Sequence, residues 1–184
     1  MNKILIYGAG ALGLIVAEML EQEEILSEDI VFVDDNLASE INYDQAKRLF
    51  SPRECDMIIA IGYKNLNNRL AIYQKIKKDG YRLRNIIHPE ACVNLKTTIG
   101  DGCIIMEKAV VGLHAILSDI VVMWSGAIVS HDSIIGKNTF LSPNSTVCGF
   151  AEIGQNSFIG AGAIIADHAK LSSNSFVKAG IVVK

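Results

Sequence analysis

The chain has 184 residues, a formal net charge of −3 at pH 7 and a hydrophobic fraction of 50%. This length allows one or two domains, and the hydrophobic fraction is large enough to build a buried core. Because there is neither a net positive charge nor a basic block, the sequence gives little support to nucleic-acid binding. We interpret the short basic run at Lys75, Lys77 and Lys78 as the solvated face of a helix rather than a phosphate site.

The apolar stretch at residues 4–17 could suggest a signal peptide, because it follows Lys3 near the start of the chain. Its three glycines and the absence of a clear cleavage site argue against that interpretation. The stretch is also too short to cross a bilayer. We therefore expect a cytoplasmic protein without membrane insertion.

The next feature is a βαβ pattern at the start of the chain. We predict a buried strand at residues 3–7, a glycine-rich turn at 8–13, a helix at 14–21 and a strand at 30–33. The second strand ends at two acidic residues, as in nucleotide-binding βαβ units. Glycines let the backbone approach a ligand, and the N-terminus of the helix offers free N–H groups to an anion.

A third strand at residues 57–61, a helix at 67–78 and a last strand at 82–87 complete the first domain. An NAD site is the tempting interpretation of the glycine-rich turn. However, about 87 residues precede the repeats described next, which corresponds to one mononucleotide half of a dinucleotide fold. A different nucleotide site or a tight packing turn therefore remains open at this stage.

A six-residue repeat dominates the rest of the sequence. Every sixth residue is aliphatic or Met at sixteen positions: Val93, Ile99, Ile105, Val111, Leu117, Met123, Val129, Ile135, Leu141, Val147, Ile153, Ile159, Ile165, Leu171, Val177 and Val183. This period fits neither a helix nor a simple strand, but it fits a solenoid of short strands and tight turns. An all-β sandwich with coincidental spacing is the alternative.

Strand alternation predicts that the mostly small residue two places before each repeat residue also points inward. Three repeats make one triangular coil of about 18 residues, with coils stacked about 4.8 Å apart. We expect Gly and Asn at the turns, since β-branched residues disfavour the required backbone conformation. Cys103 falls at an inward position, and we expect all four cysteines (Cys55, Cys92, Cys103 and Cys148) to be packed thiols rather than metal ligands or disulfides.

These features together resemble the NeuD/PglD-type sugar O- and N-acyltransferases, a group of hexapeptide-repeat transferases. The resemblance rests on the glycine-rich turn, the Asp34-Asp35 pair, the Ala60-Ile61-Gly62 sequence after the third strand, the His88-Pro89 pair and the repeats. It implies a Rossmann-like α/β half-domain at residues 1–87 that binds a nucleotide-linked sugar, followed by a left-handed parallel β-helix at 88–184. The left hand comes from the resemblance alone, because general chirality rules favour right-handed parallel crossovers.

In this family, the first domain contacts the nucleotide sugar through its glycine-rich turn and its strand ends. The matching positions here are Gly10, Ala11, Leu12, Asp34, Asp35 and Gly62. A carboxylate at the strand end could accept a hydrogen bond from a base N–H or a ribose hydroxyl. A solvated strand end is the alternative interpretation of the two aspartates.

The resemblance also implies that His131 is a catalytic base and that Asp132 orients it. A neutral imidazole suits this task because it titrates near the working pH. Residues 18 apart should stack on neighbouring coils, which brings His114 next to Asp132 and Gly149 next to His131. We therefore hypothesise that His114 helps to fix the Asp132 carboxylate, and that Gly149 leaves open space over the base.

Three positions depart from the family pattern, and one of them is Ser130, where the family commonly has Glu. Trp124 replaces an Asn, and it could stack on a sugar or pack at a subunit contact. Phe140 replaces a His that contacts acyl-CoA, so it removes one expected donor from the cofactor site. The positions that match the CoA slot are Ala161 and Ala179, which are small enough to admit a pantetheine arm.

We predict an acetyl-CoA-dependent N-acetyltransferase that modifies the amine of a nucleotide-linked amino sugar for a surface glycan. The resemblance implies a homotrimer, and heterologous contacts of this kind close into a ring. One alternative is O-acetylation of a sialic-acid-like sugar, or transfer of another acyl group. A second alternative is a non-catalytic trimeric scaffold that has lost CoA.

Overall fold

The computed structural model describes residues 3–38 and 40–184, which form two compact units, Met1–Ile86 and Ile87–Lys184. The first two residues of the domain predicted over residues 1–87 therefore lie outside the described part of the chain. None of the described helices is both long and apolar enough to cross a membrane.

The first unit is built on a parallel sheet with the strand order β2-β1-β3-β4. Its described elements are β1 (Lys3–Tyr7), α1 (Ala11–Gln22), β2 (Ile30–Val33), α2 (Tyr43–Leu49), β3 (Cys55–Ile59), α3 (Leu66–Lys78) and β4 (Arg82–Leu83), with short 3₁₀ turns at Ser27–Asp29 and Tyr63–Asn65. The central strands β1 and β3 are almost continuously apolar because helices or other structure cover both faces of a parallel sheet. The predicted βαβ unit is present.

The glycine-rich turn is closely packed. A β-carbon on Gly13 would lie 2.0 Å from the Gly8 carbonyl oxygen, so no larger residue fits there. Helix α1 begins at Ala11, three residues before the predicted start, because Gly10 already acts as its N-cap. The turn is therefore shorter than the sequence pattern suggests.

Other boundaries also differ from prediction. The third strand covers Cys55–Ile59 instead of 57–61, and α2 was not predicted. Seven residues are too few to show helical periodicity, and α2 depends on a capping box in which Asn42 and Gln45 exchange hydrogen bonds. The strand predicted at 82–87 is two strands, of which β4 pairs in the first sheet.

The second unit is a parallel β-solenoid with three sheets of two-residue strands. One sheet contains β5 (Ile86–Ile87), β8 (Ile104–Ile105), β11 (Val122–Met123), β14 (Phe140–Leu141), β17 (Phe158–Ile159) and β20 (Phe176–Val177). Another contains β6 (Cys92–Val93), β9 (Val110–Val111), β12 (Ile128–Val129), β15 (Thr146–Val147), β18 (Ile164–Ile165) and β21 (Val182–Val183). The third contains β7 (Thr98–Ile99), β10 (Ile116–Leu117), β13 (Ile134–Ile135), β16 (Glu152–Ile153) and β19 (Lys170–Leu171).

The pairing register confirms the predicted coil. Leu117 pairs with Ile135, and Ile135 pairs with Ile153, which is a step of one coil each time. The repeat residues and the small residues before them form one continuous core along the solenoid. Inward serines are also tolerated because their hydroxyls bond to backbone carbonyls, as Ser133 does to Cys148 at 2.8 Å.

Each coil turns at three corners, and each corner is a two-residue turn. The second residue of the turn usually has a positive φ. Asn144 and Gly162 illustrate the expected residue types. Ile120 contradicts the expectation that β-branched residues are absent, since it has φ +52°. Its side chain is fully buried, and we attribute its tolerance to the stabilisation from that burial, which offsets the backbone strain.

The cysteines also differ in part from prediction. Cys103 is buried at its inward position and Cys55 is buried in β3, as expected for packed thiols. Burial raises the pKa of the Cys55 thiol to about 11. Cys92, however, is exposed and Cys148 is half-buried, so packing does not account for these two. All four are free thiols.

Candidate active site

The candidate base lies at a corner formed by four stacked turns. We call this the His131 corner, and its turns are Leu113–His114, His131–Asp132, Gly149–Phe150 and Asp167–His168. Backbone hydrogen bonds join each turn to the next, from Asp132 to Leu113, from Phe150 to His131 and from His168 to Gly149. The 18-residue stacking expected from the sequence is therefore confirmed at this corner.

His131 and Asp132 form a close pair at the surface. Nδ1 of His131 lies 3.0 Å from Oδ2 of Asp132, and the imidazole is 56% exposed. Strands β12 and β13 flank this turn, and their inward residues hold it against the core. Asp132 has φ +56°, a conformation that Asp adopts more readily than most residues.

His114 lies beside the other oxygen of the same carboxylate. Its Nδ1 is 3.4 Å from Oδ1 of Asp132, so Asp132 bridges two imidazoles on successive coils. This is the proximity that the stacking argument requires. The arrangement allows Asp132 to accept from Nδ1–H of His131, which leaves Nε2 of the base unprotonated and able to take a proton.

Gly149 does not leave open space over the base, contrary to the sequence-based expectation. A β-carbon at Gly149 would lie 2.8 Å from Cε1 and 3.0 Å from Nε2 of His131. The imidazole itself therefore occupies the space that the missing side chain provides. Gly149 allows the ring to lie against the backbone of the next coil, and so helps to determine the position of Nε2.

Three further side chains at this corner were not predicted as site residues. The edge of Phe150 meets the His131 ring at 5.3 Å between centroids, with an interplanar angle of 86°. Phe150 also stacks on His168 at 4.9 Å and 11°. Nε2 of His168 lies 3.4 Å from Oδ2 of Asp167. Phe150 and His168 lie in the same 18-residue column as His114, and Asp167 lies in the column of His131, so the 18-residue spacing could have identified all three.

The positions predicted for the cofactor lie elsewhere on the solenoid. Ala161 and Ala179 are exposed at successive turns of another corner, joined by a hydrogen bond of 2.9 Å from Gly180 to Ala161. We call this the Ala161 corner. It is separated from the His131 corner by the sheet that contains β18, so a single chain does not bring the base and this slot together.

Trp124 and Phe140 pack against each other instead of lining an open site. Their ring centroids are 6.2 Å apart, and Phe140 also stacks on Phe158 at 6.0 Å. Phe140 is only 3% exposed, so almost none of its ring can contact a ligand, which argues against its predicted place in the cofactor site. Trp124 is half-buried, and its indole N–H is buried without a hydrogen-bond partner among the described residues.

The first unit contains a pocket of about 580 Å³ at the carboxyl ends of its strands. Of the predicted contacts, Gly10, Asp34, Asp35 and Gly62 line it. Ala11 and Leu12 do not line it, although both were predicted as contacts. Leu12 is 6% exposed because its side chain belongs to the buried face of α1. At the start of this helix, the N-cap residue Gly10 lines the pocket.

The two aspartates already accept hydrogen bonds from the protein. Asp34 accepts from the backbone N–H groups of Ala9 at 3.1 Å and of Asn36 at 2.9 Å. Asp35 accepts from the Tyr7 hydroxyl at 2.5 Å and from the Tyr43 N–H at 2.8 Å. Burial and the Asp35 carboxylate raise the pKa of Tyr7 well above its ordinary value, so its hydroxyl remains a donor.

Helix α3 supplies the opposite wall of the pocket. The lining residues on this helix are Asn68, Ala71, Ile72 and Lys75, which recur at the spacing of one helical face. Nζ of Lys75 lies 4.1 Å from the centroid of the Tyr43 ring. Lys75 is exposed, as expected for a solvated helix face, and it also lines the pocket. The helical spacing of these four residues was the signal that could have identified Lys75 as a pocket residue.

Within residues 3–38 and 40–184, no three His, Cys, Asp or Glu side chains come together as a group able to hold a metal ion.

Comparisons with known proteins match both units. The model of the PglD N-terminal domain matches residues 3–76, which include the whole pocket lining. The model of the hexapeptide repeat of succinyl-transferase matches residues 133–165 and 150–184. No protein with a curated description matches the chain in sequence.

Solved structures match the chain along its full length. The acetyltransferase domain of PglB from Neisseria gonorrhoeae FA1090 is 30% identical, with a TM-score of 0.91, and the match covers 100% of this chain and 92% of that one. The same domain in complex with acetyl coenzyme A is 31% identical, with a TM-score of 0.89 and coverage of 100% and 91%. PerB from Caulobacter crescentus, in complex with CoA and GDP-perosamine, is 25% identical, with a TM-score of 0.89 and coverage of 100% and 89%.

Proposed function

Because this chain belongs to the NeuD/PglD-type family of sugar acyltransferases, we propose that it transfers the acetyl group of acetyl-CoA to the amine of a nucleotide-linked amino sugar. The main support from the structure is the exposed His131–Asp132 pair, with Nδ1 of the imidazole 3.0 Å from the carboxylate. Acetyl-CoA is bound by the matched PglB domain, and GDP-perosamine is bound by PerB. A surface glycan is the destination we propose for the product.

In the proposed reaction, the neutral amine attacks the thioester carbon and the C–S bond breaks. As the C–N bond forms, the nitrogen becomes acidic and Nε2 of His131 accepts its proton. Asp132 holds the imidazole through Nδ1–H and stabilises the imidazolium that results. The proton then passes to the departing CoA thiolate, so the products are an amide and CoA thiol.

We propose that the pocket of the first unit holds the nucleotide. Lys75 supplies a positive charge there, which suits a phosphate, while Asp34 and Asp35 can accept further hydrogen bonds from base or ribose. Carboxylate oxygens carry more than one lone pair, so their existing bonds to the protein do not exclude a ligand. Gly10 lets a ligand approach the backbone, since a β-carbon there would meet nothing within 4 Å.

We further propose a homotrimer in the cytoplasm. The Ala161 corner and the His131 corner are separated within one chain, so an acyl donor bound at Ala161 and Ala179 could not reach the base of the same chain directly. A closed ring would place the Ala161 corner of one subunit against the His131 corner of the next. Measuring the molar mass in solution tests the ring, and a monomer with full activity would contradict it.

The decisive test is acetylation by wild type and by His131→Ala, followed as CoA release. GDP-perosamine and a UDP-linked amino sugar serve as acceptors, and their hydroxyl counterparts test the O-acetylation alternative. We expect the amino sugar to react and His131→Ala to lose turnover by roughly 10²–10⁴-fold while it unfolds at the wild-type temperature. Near-normal turnover in this variant would exclude the proposed base. A wild type that neither binds CoA in calorimetry nor turns over any acceptor would favour the scaffold.

A further inference from the structure

A second carboxylate lies near the reacting nitrogen of the proposed base. Nδ1 of His131 faces Asp132, whereas Nε2 lies over Gly149. The point where a β-carbon on Gly149 would lie is 3.0 Å from Nε2 and 3.2 Å from Oδ1 of Asp167. Nε2 and Oδ1 therefore lie on either side of the same point beside the Gly149 backbone.

The Asp167 carboxylate contacts a neighbouring histidine. Its other oxygen, Oδ2, lies 3.4 Å from Nε2 of His168. His168 stacks on Phe150, and the edge of Phe150 meets the ring of His131. This chain of contacts connects Asp167 to the base, and the Asp167 side chain remains 62% exposed. A ligand that approaches Nε2 from solvent can therefore reach Oδ1.

We propose that Asp167 binds the ammonium form of the acceptor and so makes this corner selective for an amine over a hydroxyl. This inference rests on the proposed acetyltransferase function and specifies its substrate class. An aliphatic amine is largely protonated near neutral pH, as amino termini and lysines are. A carboxylate therefore attracts it through a charge-assisted hydrogen bond, whereas a neutral hydroxyl gains much less.

The position of Asp167 also suits the proton balance of the reaction. The ammonium group must lose one proton to solvent before its lone pair can attack the thioester. The second proton leaves as the C–N bond forms, and Nε2 of His131 accepts it. A carboxylate beside Nε2 holds the nitrogen at the base through both stages, so Asp167 binds and orients the acceptor while His131 accepts the proton.

A purely structural role is the rival explanation. In that case Asp167 would only pair with His168 and keep its turn in place. Loss of its charge would then weaken amine and hydroxyl ligands equally. The ratio of the two affinities separates the explanations, because only direct contact with an ammonium group makes that ratio depend on Asp167.

The test measures binding to the full chain by calorimetry with matched ligand pairs. The probes are GDP-perosamine, a UDP-linked amino sugar and the counterpart of each that carries a hydroxyl in place of the amine. The variant is Asp167→Asn, which keeps the shape and removes the charge. The control is Asp101→Asn, because Asp101 is exposed at the same turn position of a different corner. Thermal unfolding of both variants checks that they fold.

We expect Asp167→Asn to weaken binding of the amino sugar about fivefold to tenfold and to leave the hydroxyl counterpart unchanged. Asp101→Asn should change neither. An unchanged ratio of amine to hydroxyl affinity in Asp167→Asn would overturn the inference, even if the enzyme acetylates amino sugars. Failure of wild type to bind any of the four probes would instead overturn the proposed substrate class, and this inference with it.

Discussion

Substitution of Gly149 by alanine should separate catalysis from stability at the His131 corner. The new β-carbon would lie 2.8 Å from Cε1 of His131, closer than β-carbons approach other atoms in proteins, and a tight 3.0 Å from Nε2. The imidazole is the part free to move, because it is 56% exposed, whereas the backbone is held by the coils on either side. We therefore expect the ring to swing away from Gly149 and Nε2 to leave its position.

The size of the effect follows from how steeply catalysis depends on geometry. A displacement of about 1 Å at a reacting group costs on the order of 10²-fold in rate, or about 2.7 kcal/mol of barrier. Stability should change little, because a mobile surface ring relieves the clash. The loss of a glycine also restricts the unfolded chain, which contributes about 0.4–1 kcal/mol in favour of folding.

The assay is CoA release under saturating substrates, together with the midpoint of thermal unfolding. We expect Gly149→Ala to lower kcat about 100-fold and to unfold at or slightly above the wild-type temperature. The control is the same change in a His131→Ala background, where it should have no further effect on the residual rate. A wild-type kcat in Gly149→Ala, or an equal loss in both backgrounds, would refute this account of the base.

Three further predictions test other parts of the structure. His114→Ala should lower kcat about fivefold without a change in KM, because the carboxylate of the catalytic pair loses one contact, while His114→Asn should retain most of the rate. Lys75→Ala should weaken nucleotide-sugar binding about fivefold at low salt and less at high salt, and Lys78→Ala should have no such effect. The hydrogen bond from Ser125 lowers the pKa of Glu107, so Ser125→Ala should cost about 1 kcal/mol of unfolding free energy near neutral pH. This difference should shrink as the pH falls through the folded-state pKa of Glu107, and a constant difference in denaturant unfolding between pH 7 and pH 3 would contradict it.

Sequence reasoning predicted the solenoid well because its repeat is local. Each strand contacts the strand one coil away, so a constant spacing of 18 residues converts directly into spatial neighbours such as His114 and Asp132. The same rule places Phe150 and Asp167 at the His131 corner, although neither was selected from the sequence. Their chemistry became apparent only from the directions in which their side chains point.

Predictions in the first unit were less complete because its contacts depend on long-range packing. The residues of α3 that include Asn68 and Lys75 have helical spacing, but this spacing alone did not show that their face of the helix borders a pocket. Helix α2 is too short for a periodic signal, and it is defined by the capping bonds between Asn42 and Gln45. The strand predicted at 82–87 divides because only β4 pairs with the neighbouring strand of the first sheet.

The amino-acid sequence by itself determined the coil, its register and the neighbours of His131 along the column, since a repeat without insertions leaves only one way to stack. Tertiary structure decided what those neighbours do. The imidazole lies over Gly149, Phe140 is buried instead of facing a cofactor, and Ile120 tolerates a strained turn because its side chain is buried. These outcomes depend on side-chain direction and burial, which arise from packing in three dimensions and leave no periodic trace in the sequence.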